Sequence, residues 1–170
     1  EKIFPSKSVE GAIAGIFGAI GFALVFILII TILFCKRVYM NILFLSIGRF
    51  KSINSKGIYP DLLREFSKNG HDVYIVSSYE KRLGKKTELI NENGVNFLHV
   101  KIGNITKCGI IEKGISTLRI EPLYKKAIKK YFKGVKFDLV LYTTPPITFC
   151  NVVKYIKKRD GARTYLMLKD

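Results

Sequence analysis

The chain has 170 residues, 48% of them hydrophobic, and its 29 Lys and Arg against 13 Asp and Glu give a formal net charge of +16. So many apolar residues exclude intrinsic disorder, three cysteines are too few for a disulfide scaffold, and the length argues against a two-domain soluble enzyme. Four of the bases and two of the acids precede Met40, which leaves 25 bases and 11 acids, net +14, on a remainder of ordinary single-domain size.

Residues 11–35 (GAIAGIFGAIGFALVFILIITILFC) follow a stub of residues 1–10 and carry no charge. As a helix these 25 residues rise roughly 37 Å, more than the roughly 30 Å of bilayer hydrocarbon, which predicts one tilted transmembrane helix. A signal peptide has a shorter apolar region behind a basic start, whereas Glu10 abuts this one. Lys36 and Arg37 begin a basic junction over residues 36–40, so the positive-inside rule predicts a single-pass protein with its N-terminus outside and its bulk in the cytoplasm. Gly11, Gly15, Ala19 and Ala23 recur every four residues, a face on which two helices can approach closely as a homodimer.

From residue 41 on, short apolar runs alternate with amphipathic stretches, the pattern of βα units. Asn41 to Ile47 reads as a strand buried on both faces. A polar loop from Gly48 leads to a helix whose Ile58, Leu62, Leu63 and Phe66 form one stripe, stopped by Asn69 and Gly70. Strands follow at Asp72 to Ser77, Val95 to Val100, Asp138 to Tyr142 and Arg163 to Leu168, with helices from about Ser116 to Phe132 and Ile147 to Arg159. The fold class is α/β: a Rossmann-like parallel sheet over residues 41–170 with helices on both faces, preceded by the transmembrane helix. Right-handed crossovers put the ligand loops at the carboxyl edge, namely Gly48 to Gly57, Ser77 to Lys86, Gly103 to Gly109, Thr143 to Pro146, and Asp170.

Several chemistries are missing. There is no G-x-G-x-x-G after the first strand and no G-x-x-x-x-G-K-[ST], so the dinucleotide fingerprint and the P-loop both fail. His71 and His99 are the only histidines, and Cys35, Cys108 and Cys150 are far apart, so no metal site and no resident cofactor are expected. Lys125, Lys126, Lys129, Lys130 and Lys133 occupy one side of their helix. They read either as a solvated face or, with Lys36 and Arg37, as contacts to an anionic lipid bilayer, where each base contributes on the order of 1 kcal/mol. Nucleic acid is not the expected partner, because no recognition-helix motif accompanies the lysines.

MNILFLSIGRF, KGIYPDLLREFSKNGHDVYIVSS and FDLVLYTTPPITFCNVVKYIKKRDGARTYLMLKD, in this order and spacing, resemble the N-terminal half of family 4 GT-B glycosyltransferases, particularly bacterial enzymes that build surface polysaccharides. The resemblance covers Met40 to Asp170, with G-H-D-V (Gly70 to Val73) and T-P-P (Thr144 to Pro146) its most telling parts. It implies an acceptor-binding half whose partner half, holding the nucleotide-sugar donor and an acidic E-x7-E motif, is not contained in these residues. The first loop departs from the family, since only Gly57 stands after Lys56 where two neighbouring glycines are usual.

The reaction implied is transfer of a sugar from a nucleotide donor to a lipid-linked or polysaccharide acceptor with retention of configuration. Lys56 and Gly57 would approach the donor, Thr143, Thr144 and Pro145 would shape the cleft floor, and His99 and Asp170 would face the acceptor. The chain is expected to be inactive without a C-terminal donor domain. The alternative is a non-catalytic membrane-anchoring subunit that recruits a separate donor-binding subunit.

Overall fold

The computed structural model describes residues 20–28, 39–143 and 149–168, and the chain divides into two units, Glu1–Val38 and Tyr39–Asp170. In the first unit residues 20–28 are helical with exposed side chains. Among the described residues no helix is long and apolar enough to cross a membrane. This overturns the expected transmembrane helix and, with it, the single-pass placement with the N-terminus outside. Residues 11–19 and 29–35 of that span, including Gly11, Gly15 and Ala19 of the small-residue face, lie outside the described residues, as do Lys36 and Arg37; Ala23 is helical and exposed.

The second unit is α/β. Its strands are β1 (Asn41–Leu45), β2 (Asp72–Glu80), β3 (Glu88–Glu92), β4 (Val95–Ile102), β5 (Leu139–Thr143) and β6 (Arg163–Met167). Its helices are α1 (Ile58–Lys68), α2 (Ile110–Tyr131) and α3 (Cys150–Asp160), with a short 3-10 turn at Lys81–Leu83. The sheet order is β3-β4-β2-β1-β5-β6. All pairings are parallel except β3 with β4, so the wholly parallel sheet expected from the sequence gains one antiparallel edge strand. That strand reads ELINE, too polar to announce itself as buried, and Asn93 and Gly94 close its turn to β4 with positive φ.

The five parallel strands run β4-β2-β1-β5-β6, the doubly wound order in which the chain reverses direction between β1 and β5. Right-handed crossovers then send α1 to one face and α2 and α3 to the other. One core layer packs α2 and α3 through Ile120, Tyr124, Ile128, Val152 and Ile156 onto Leu43, Leu45, Val76, Leu98 and Val140. The opposite layer has only α1, because the connection from β2 to β4 passes through β3 instead of a helix. The loop after β1 fills this gap. Phe50 and Ile53 are buried there, and the Phe50 ring lies 6.0 Å from Phe44 and 5.8 Å from Phe97. Ser52 hydrogen-bonds Glu92 of β3, and Arg64 of α1 donates to the Ile53 carbonyl at 2.8 Å.

Helix α1 ends as the sequence predicts. Asn69 donates to the Glu65 carbonyl at 2.8 Å, and Gly70 takes φ +86°. A Cβ at Gly70 would also stand 2.8 Å from the exposed Tyr39 ring, which would have to shift, so the conformation is what favours glycine here. His71 at this turn accepts the Met40 N–H through Nδ1 at 3.3 Å. Helix α2 starts six residues before the position read from the sequence, since Gly109 and Gly114 mask its first turns.

Candidate functional site

In a doubly wound sheet ligands bind outside the carboxyl ends of the strands, at the reversal point. Here that edge carries the loop after β1, the end of β2 and the loop after β4. The first of these is held from two sides. Tyr124 of α2 donates to the Ser46 carbonyl at 2.7 Å, Ser78 of β2 donates to the Ile47 carbonyl, and the Ser46 N–H donates to Val76 at 3.0 Å. Burial pushes the Tyr124 phenol well above its ordinary range, so it serves as a fixed donor and not as a proton carrier.

Beside this pinned turn opens a cleft of about 360 Å³, lined among others by Gly48, Arg49, Glu80, Arg82, Ile105 and Thr106. Thr106 donates to Glu80 Oε1 at 2.7 Å and receives a hydrogen bond from Arg82 at 2.6 Å. The Arg82 N–H donates to Asn104 Oδ1 at 3.0 Å, and the Asn104 amide donates to Glu112 of α2 at 2.8 Å. Arg82 Nε stands 3.1 Å from Glu80 Oε2, near enough for charge attraction but out of line for a hydrogen bond, so that buried oxygen has no donor. Arg49 at the mouth is exposed and joins none of the ion pairs among the described residues. The wall is thus a braced polar network of hydroxyl, amide and guanidinium donors with one under-used carboxylate, which suits a hydroxyl-rich ligand.

Next to the cleft the first turns of α2 expose Ile110, Ile111, Ile115 and Leu118, at 91%, 81%, 54% and 80%. Their spacing puts them on one helical face, so an apolar strip adjoins a polar cleft.

The residues singled out in the sequence fall in different places. Lys56 and Gly57 are exposed where the first loop meets α1. Gly57 has φ +153° and ψ 160°, a region essentially closed to residues with a Cβ. Thr143 ends β5 at the reversal point with its side chain buried. Thr144, Pro145 and Asp170 lie outside the described residues.

His99 is placed in the sheet, not at its loop edge. It is 4% exposed, its Nδ1 is 2.7 Å from the Ser77 hydroxyl, and the Tyr79 ring stacks on it at 4.4 Å. Burial holds its pKa below the ordinary histidine value. The acceptor-side role implied for His99 therefore lacks an open path to solvent.

The lysine stripe divides in two. Lys125 and Lys129 lean onto Tyr155 of α3, with Nζ 5.1 and 5.0 Å from the ring centroid. Lys126 and Lys130 instead line a shallow groove of about 230 Å³ with Thr87, Val100 and Tyr131. Lys133 is exposed beyond the helix.

Among the described residues no group of His, Cys, Asp or Glu side chains gathers to hold a metal ion. Cys108 and Cys150 are free thiols, the former donating to the Asn104 carbonyl at 3.3 Å. The first amides of α3, just past the reversal point, meet the Glu121 carboxylate from α2. A helix start that otherwise attracts phosphate is occupied by the protein's own anion.

The sequence places the two loops that carry Glu80, Arg82, Asn104 and Thr106 at the carboxyl edge but does not single out these four residues, because only the sheet order brings the two segments together. The apolar strip carried a signal, the i, i+4, i+7 spacing of Ile111, Ile115 and Leu118, interrupted by Gly114. No protein-family model and no curated protein matches this chain.

Proposed function

We propose that the second unit is the acceptor-binding half of a retaining GT-B glycosyltransferase, working with a donor-binding half supplied by further sequence or by another subunit. The observation that carries this reading is the pairing of a hydroxyl-matching polar cleft with an apolar strip at one carboxyl edge. A sugar linked to a lipid presents those two chemistries side by side. The cleft residues Arg82, Thr106 and Glu80 would hold sugar hydroxyls, and Ile111, Ile115 and Leu118 would lie along the apolar chain.

The α3 start, filled by Glu121, leaves no open helix terminus there for a donor diphosphate, in keeping with donor binding elsewhere. Catalysis in the assembled enzyme would come from orienting the acceptor hydroxyl and from stabilising the leaving diphosphate in the other half.

The test is a titration of the isotope-labelled chain with a short-chain polyprenyl-diphosphate monosaccharide and, separately, with a nucleotide sugar. The acceptor analogue is expected to shift resonances of Arg82, Thr106 and Ile111, and the nucleotide sugar to leave them in place. Turnover of a nucleotide sugar by this chain alone would sink the half-enzyme reading.

A further inference from the structure

We propose that Lys125 and Lys129, gathered on Tyr155 between α2 and α3, form a phosphate-binding site separate from the carboxyl-edge cleft. Three cationic groups surround the one ring: the two ammoniums at 5.1 and 5.0 Å and the Arg159 guanidinium at 5.6 Å. The two ammoniums are therefore at most about 10 Å apart, no more than about one Debye length in 0.1 M salt, so solvent ions do not cancel their repulsion.

Among the described residues no carboxylate forms an ion pair with either of them. Arg159 is already matched, with Nε and an Nη each 2.6 Å from the Asp160 carboxylate and a further bond to the Val135 carbonyl at 2.9 Å. Asp160 also receives the Phe137 N–H at 3.1 Å, and Glu121 is taken up by the start of α3. Glu112, the other acid on these two helices, is engaged by Asn104. None of the ion pairs among the described residues uses a lysine of α2 or α3, and exposed Lys154, Lys157 and Lys158 add further positive charge on α3.

The ring decides the type of anion. Tyr155 is half-buried and already carries ammonium groups, so it positions lysines and offers no platform for stacking a base. A phosphate seated between Lys125 and Lys129 would accept hydrogen bonds from both and remove their repulsion. Its source is either a free phosphate or phosphates carried along a polymer.

The experiment follows the lysine side-chain resonances of the whole chain in low salt as sodium diphosphate is added to about 10 mM. Saturating shifts at Lys125 and Lys129 are expected, and no saturation overturns the site. Lys125→Gln with Lys129→Gln should weaken binding by about tenfold or more, whereas Lys126→Gln with Lys130→Gln, the same charge removed elsewhere on α2, should change it less than about twofold. Equal losses from the two pairs would mean a general field and no site. Lys125→Arg with Lys129→Arg keeps the charge and should keep binding, which guards against a glutamine pair that fails to fold.

Long-chain polyphosphate separates the sources. Tightening of about tenfold over diphosphate at equal phosphate concentration assigns the site to polymer-borne phosphate, and equal affinity assigns it to the free ion. A DNA duplex that binds without need of Lys125 and Lys129, where diphosphate does not bind, overturns the proposal in favour of nucleic acid.

Discussion

Glu121 of α2 accepts two hydrogen bonds from Asn151 of α3, one from the backbone N–H and one, at 2.7 Å, from the side-chain amide. The same carboxylate accepts the Val152 N–H at 3.2 Å. A side chain thirty positions away thus does what an N-cap residue does locally, and α3 has no side-chain cap of its own. The contact ties the helix that follows β4 to the helix that follows β5, one on each side of the reversal point. The negative charge also lies at the positive end of the α3 dipole.

Replacing Glu121 by Ala should therefore cost about 1–2 kcal/mol of unfolding free energy, the range for a lost cap. Glu121→Gln, which keeps an acceptor oxygen but not the charge, should lose less. Urea denaturation measures both values, and faster amide exchange at Asn151 and Val152 would locate the damage. An unchanged exchange rate in the Ala variant would show that the carboxylate does not cap α3.

His99 gives the chain a pH dependence with a defined sign. Burial disfavours the charged imidazole; Lys85 and Arg49 oppose it further, while Glu88 and Glu92 partly favour it, and the net shift is downward. The unfolded chain then binds a proton at higher pH than the folded one. This contribution to stability is fully present above the unfolded value near 6.5 and is lost as pH falls from there toward the folded pKa. Asp160 adds in the same direction at lower pH. Its burial resists charge, but Arg159 and the Phe137 N–H hold the carboxyl below its ordinary value. Denaturation midpoints should fall between about pH 7 and pH 5 in the native chain, and His99→Gln should flatten that slope. Equal slopes in the two proteins would mean that His99 does not titrate on unfolding.

Much of the domain could be read before any coordinates, and the reason is periodicity. The apolar runs of β1, β2, β4 and β5 are buried on both faces and can hardly be anything but parallel strands. Gly70 marked the end of α1 because its φ is positive. The edge strand β3 was hidden because Leu89 and Ile90 are only half covered, each 41% exposed, and polar neighbours break the alternation. The first loop was read as open and ligand-facing because it is polar on average, yet Phe50 and Ile53 turn inward to do the work of a missing helix. The apolar segment near the N-terminus was read from its uncharged length and basic flank, yet among the described residues no helix is long and apolar enough to cross a membrane. The cleft was legible as a set of loops at one edge but not as a set of side chains, since its residues meet only through the order of the strands. The lysine stripe shows the same limit: the ring that gathers Lys125 and Lys129 is Tyr155, which arrives from α3 and not from the stripe's own helix.

Gly103 is a position where space decides. A Cβ there would stand 2.2 Å from the Ser116 hydroxyl oxygen and 2.8 Å from its Cβ, closer than atoms can approach. Ser116 is itself 5% exposed, so it has little room to yield. Gly103→Ala should destabilise the chain by about 1–3 kcal/mol, the usual cost of overpacking. Adding Ser116→Gly removes both offending atoms and should restore part of the loss despite the helix cost of a glycine. A double-mutant cycle by thermal unfolding measures the coupling, and additive losses would argue against direct contact.

Phe50 offers the sharpest test of the loop that takes the place of a helix. Its ring joins Phe44 and Phe97 under the loop, and Arg49 at the cleft mouth is its immediate neighbour. Phe50→Ala removes those contacts and should cost about 3 kcal/mol, at the low end for a buried phenylalanine because the ring sits at the margin of the core. Release of the loop should also raise amide exchange from Arg49 to Ser55 and weaken binding at the cleft, while exchange in α2 and α3 stays unchanged. Phe50→Leu keeps most of the apolar volume and should retain the closed loop. If the Ala variant exchanges no faster than the native chain in this segment, the loop is held by Ser52 and Arg64 alone, and the ring contacts do not set its position.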